Sequence, residues 1–117
     1  MNKTRIMLYV TDVTQTVNFW QEHFELPVVA TNALPDGSQN IVLQMNAGTE
    51  LSFFSRDFIK KYSPEVLDDV PSLMFFSDDF DALHEKLAGA TPIADNNGLP
   101  TFAFPDPDGR YFAVAKA

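Results

Sequence analysis

No cysteine occurs among the 117 residues. The chain therefore carries no disulfide framework, no thiolate metal site and no cysteine nucleophile. Basic residues are scarce as well: eight Lys and Arg stand against sixteen Asp and Glu, a formal net charge of −8. A phosphate backbone needs a basic face, so nucleic acid is excluded as a partner. The acidic balance serves solubility, and it would favour a cationic ligand. Long apolar runs are missing too. Ile6 to Val10, behind Lys3 and Arg5, is too short for a signal peptide or a membrane span. We expect a cytoplasmic protein with no membrane partner.

What is present is a large apolar and aromatic share, 45% and 13%, with eleven Phe to fill one compact domain over residues 1–117. "TRIMLYVTDV" opens as a near-continuous apolar strand. Asp12 then reads as a helix N-cap with Gln15 three residues on, followed by Val13, Val17, Trp20 and Phe24 at helical spacing, up to the stop at Pro27. Three strands follow, "VVATNA", "NIVLQM" and "TELSFFS", separated by turn signals. The polar stretch 57–70 reads as a linker with room for a short helix. Beyond it the order recurs: strand "SLMFFS", a helix capped near Asp78 with Phe80, Leu83 and Leu87 on one face, then "TPIADN", "PTFAFP" and "RYFAVAK". The spacing thus predicts β-α-β-β-β twice, over about 1–56 and 71–117, with no residue identity between the copies.

The apolar first strand, "TDV" opening a helix with "FW" in its middle, and a late "DPDG" before the last strand together resemble the vicinal oxygen chelate superfamily, the glyoxalase, bleomycin-resistance and extradiol-dioxygenase group. The resemblance covers the whole chain. It implies an α+β fold in which two βαβββ modules form a cup-shaped, partly open mixed-sheet barrel with helices outside, completed in a homodimer. The turn Asp106-Pro107-Asp108-Gly109 is read as hairpin geometry.

Enzymes of that superfamily hold a divalent ion through His and Glu at four strand positions. Matched by motif, those positions are Arg5, Glu50, Ser72 and Ala113. Arginine offers no lone pair, serine is a poor neutral ligand and alanine has none, which leaves Glu50. One carboxylate does not hold a catalytic divalent ion against water. His23 and His84 fall inside helices and are not ligand candidates. We therefore expect no metal and no other cofactor. The family also commonly has Gly after the first helix, where this chain has Glu25. A left-handed Glu25 would carry strain; otherwise the helix ends differently.

Alternation along the strands turns Met7, Tyr9, Ser52, Phe54, Met74, Phe76 and Tyr111 to the same side as Arg5, Glu50 and Ser72. An aromatic and Met-rich lining with few polar anchors suits a small molecule. Arg5 and Glu50 read either as an internal salt bridge or as an anchor in which Arg5 takes a ligand's carboxylate or phosphate. The functional expectation is a metal-independent binding protein that sequesters an aromatic or cationic ligand, with no catalytic residue. The alternative is a lyase, isomerase or dioxygenase with a degenerate metal site.

Overall fold

The computed structural model describes all residues 1–117. It is an α+β fold in which one arrangement occurs twice. The first half comprises β1 (Thr4–Val10), α1 (Val13–Phe24), β2 (Val28–Ala33), β3 (Gln39–Asn46), β4 (Thr49–Ser55) and α2 (Arg56–Tyr62), followed by a 3-10 turn at Pro64–Val66. The second comprises β5 (Met74–Ser77), α3 (Phe80–Lys86), β6 (Ala94–Asn96), β7 (Leu99–Pro105) and β8 (Tyr111–Lys116). Each half forms an open four-stranded mixed sheet, in order β1-β4-β3-β2 and β5-β8-β7-β6, with its first strand parallel to its last. Two compact units result, Met1–Pro71 and Ser72–Ala117. The stretch 57–70, expected as a linker, belongs to the first unit and includes most of α2.

In the first unit α1 begins where the sequence places it: Asp12 is extended, and its carboxylate accepts from the Gln15 N–H at 3.0 Å. Its inner stripe, Val13, Thr16, Val17 and Trp20, is buried, and the Trp20 ring lies 6.4 Å from that of Phe53 on β4. The helix thus covers the sheet face that carries Leu8, Val10, Leu43, Leu51 and Phe53, all buried. Glu25 closes α1 in the left-handed conformation, φ 56°, with its N–H bound to the Gln21 carbonyl at 3.0 Å.

The second unit packs phenylalanines. Phe80 of α3 meets Phe102 at 5.1 Å, and Phe104 meets Phe112 at 6.0 Å. Three expectations are corrected here. Asp79, not Asp78, stands at the N-cap of α3, and no side chain caps it there. Strand β6 is confined to Ala94–Asn96, around the tight Asn97-Gly98 turn with both residues at positive φ. Strand β5 starts at Met74, so Ser72 lies before it. Pro71 has no N–H for a ladder, and pairing is established only from Leu73, whose carbonyl accepts from Ala113 N–H at 3.0 Å. The "DPDG" turn is closed by Asp106, whose carboxylate accepts from the N–H groups of Asp108 and Arg110, each at 2.9 Å. Burial pushes that carboxyl above its ordinary value, against these hydrogen bonds.

Candidate functional site

The face of the first sheet opposite α1 brings most of the expected residues together. In the parallel β1–β4 pair Arg5 stands opposite Glu50, Met7 opposite Ser52 and Tyr9 opposite Phe54. Partners in register share a face, so these six side chains form two adjacent rows.

At one end Arg5 donates from Nε (3.0 Å) and Nη2 (2.8 Å) to the same oxygen, Oε1 of Glu50. Lys3 Nζ lies 3.5 Å from the other oxygen. The Glu50 side chain is only 8% exposed while Arg5 is 45% and Lys3 53% exposed. The carboxylate is screened by the two cations laid over it, rather than sunk in the core. The hydrogen bonds from Arg5 hold its carboxyl below the usual range, with the charge of Lys3 adding to the effect against some desolvation.

In the middle Ser52 joins a polar row whose other members, Asn40 and Asn32, sequence reasoning missed. Asn40 Nδ2 donates to Ser52 Oγ at 2.9 Å and to the Phe53 carbonyl at 3.0 Å, and Asn32 Nδ2 donates to Asn40 Oδ1 at 3.1 Å. Asparagine is disfavoured inside strands, and two of them in β2 and β3 were the available signal. At the far end rings follow one another: Tyr9 and Phe54 at 6.3 Å, Phe54 and Phe58 stacked at 6.0 Å, Phe58 and Tyr62 at 4.8 Å. The last two come from α2, capped by Ser55 Oγ, which accepts from the Asp57 and Phe58 N–H groups.

Beside this face is a depression of about 450 Å³ lined by Ile6, Met7, Tyr9, Asp69, Val70 and Pro71. Its outer wall is the segment just after Leu67 and Asp68. Arg56 ties that segment back, with Nη1 3.1 Å from the Leu67 carbonyl and Nη2 3.3 Å from Asp68 Oδ1. Met7 is half exposed at the rim. A second hollow, of about 340 Å³, lies between the starts of α1 and α2. Its polar groups Asp12 and Ser55 are already engaged as caps.

The remaining expected residues lie in the second unit. Met74, Phe76 and Tyr111 share the helix-free face of its sheet and are exposed, Phe76 at 63% and Tyr111 at 60%. Ala113 stands opposite Met74, the counterpart of Arg5 opposite Glu50. Ser72 is not brought into either row.

The residues do not fit a divalent metal centre. No three His, Cys, Asp or Glu side chains converge anywhere in the chain. Glu50 already has a cation on each oxygen. His84 Nε2 donates to the Thr91 carbonyl at 2.9 Å, and His23 Nδ1 lies 2.9 Å from the Phe19 carbonyl, so both rings serve helix packing.

The sequence model of the Glyoxalase/Bleomycin resistance protein/Dioxygenase superfamily matches residues 4–114. The chain belongs to this superfamily. No curated protein matches the sequence closely enough to count as a relative. Among solved structures, the chain is similar to TnmS3, an antibiotic binding protein from Streptomyces sp. CB03234, at a TM-score of 0.77 and 17% identity, over 99% of this chain and 95% of that one. A superfamily member from Sphaerobacter thermophilus gives 0.76 at 18% identity, over 98% and 96% of the two chains. A lactoylglutathione lyase from Agrobacterium tumefaciens gives 0.73 at 20% identity, over 97% and 92%. At these identities the likeness is one of fold. No helix is long and apolar enough to cross a membrane.

Proposed function

We propose that this glyoxalase-superfamily chain binds a small organic molecule stoichiometrically, without metal, at the face of its first sheet opposite α1. One observation carries this reading: the depression of about 450 Å³ lined by Met7, Tyr9, Asp69 and Val70 lies beside a sheet face whose single carboxylate, Glu50, is already paired with Arg5 and Lys3. Apolar walls with few polar anchors suit an aromatic or amphipathic ligand, and the thioether of Met7 adapts to its outline. The rings of Phe54 and Phe58 continue the aromatic series from Tyr9. TnmS3, of like fold, is an antibiotic binding protein, which supports sequestration as the mode of action. We also propose a homodimer in which a second copy covers exposed apolar side chains such as Met74, Phe76 and Tyr111.

The test is an amide NMR titration of chelator-treated protein with a neutral aromatic probe, 4-phenylbutyramide. Saturable shifts centred on Met7, Tyr9, Phe54 and Val70 are expected. Absence of shifts at millimolar probe, or turnover of a hemithioacetal or catechol on adding metal that Glu50→Ala abolishes, contradicts the reading.

A further inference from the structure

The four strands of the first sheet carry a single acidic residue, Glu50, in a chain that holds sixteen. Two cations face it. Arg5 spends Nε and Nη2 on one oxygen, which leaves its Nη1 edge directed away from the pair, and Lys3 sits loosely on the other oxygen at 3.5 Å. Counting the three groups, one positive charge is left over, and it lies on the solvent side because both cations are about half exposed above a covered carboxylate. A planar guanidinium with a free edge suits a carboxylate, which it can grip through two parallel hydrogen bonds. The next residue on this face is the exposed Met7, about 7 Å along the strand at about 3.3 Å per residue, and Tyr9 follows at about 13 Å. A ligand held by its acid group at Arg5 would therefore lay its hydrocarbon body over Met7 toward the depression. Asp69, in the lining of that depression, repels the acid group and so fixes the direction of the ligand.

We propose that Arg5 and Lys3 form an anion receptor and that the ligand is an organic carboxylate with an aromatic or aliphatic body. This rests on the binding reading above and narrows it. It also sets the local field of the sheet against the acidic whole: the ligand's polar end is anionic, not cationic. Glu50 acts as an internal competitor that the ligand's carboxylate relieves of part of its hold on Arg5.

The experiment compares 4-phenylbutyrate with its neutral twin 4-phenylbutyramide, by calorimetry or NMR in low-salt buffer, on the full chain and on Arg5→Met, Lys3→Met and Glu50→Gln. The expected result is at least a tenfold preference for the acid, lost in Arg5→Met, reduced in Lys3→Met and enlarged in Glu50→Gln. Equal binding of acid and amide overturns the anion receptor and leaves the binding face standing. Failure of both probes to bind overturns both. Should Arg5→Met fail to fold, Glu50→Gln decides: no gain in affinity for 4-phenylbutyrate over the parent chain overturns the proposal.

Discussion

Glu25 sits where a helix end wants glycine. Its φ of 56° is left-handed, and a side chain there costs about 1 kcal/mol relative to glycine. Glu25→Gly is therefore expected to stabilise the chain by about 1 kcal/mol, read as a shifted urea midpoint at unchanged slope. From sequence, the position was visible and the outcome was not, because a chain can also end a helix by fraying. Two carboxyls make opposite predictions in acid. Arg5 lowers Glu50 below its ordinary 4.5, so the folded chain holds that ionised form more strongly than the unfolded one. The resulting stability is complete above pH 4.5 and is lost as pH falls through the folded value. Asp106 is raised from its ordinary 3.8 by burial, so its contribution grows as pH falls. Denaturant unfolding between pH 3 and pH 6, read as about one pH unit either side of these values, should show a flatter acid limb in Glu50→Gln and a steeper one in Asp106→Asn. Parallel curves for both variants would contradict the assignments.

At the level of elements, α1 and the hairpins were legible because their signals are local. Asp12 and Gln15 cap, the apolar stripe repeats at helical spacing, and Asn97-Gly98 makes a turn that few other pairs make. Helix α2 was not. "RDFIKKY" looks polar, and its three apolar residues, Phe58, Ile59 and Tyr62, gain meaning only once Phe54 and Tyr9 stand beside them. Strand register was likewise out of reach: the match to Ser72 counted along a motif, whereas the ladder pairs Ala113 with Met74. The capping of α2 is testable. Ser55→Ala removes the acceptor for two N–H groups and should cost about 1 kcal/mol. Hydrogen exchange should then quicken across residues 56–62 while α1 keeps its protection. Equal loss of protection in α1 would show that α2 is no separate element.

For the whole molecule, the repeated order and the family were legible from sequence. The charge layout was not, because a net charge of −8 hides a sheet with one acid and a cationic corner. Light scattering at micromolar concentration is expected to give twice the 13.1 kDa chain mass, and a single species at the chain mass would remove the homodimer. The central claim is binding without metal. It is tested most directly by one comparison: the calorimetric isotherm of 4-phenylbutyrate on the full chain, before and after exhaustive treatment with EDTA. The account predicts superimposable isotherms, with one site per chain and no restoration needed from zinc, nickel, manganese or iron. Binding that disappears with the chelator and returns with any one of these ions would contradict it.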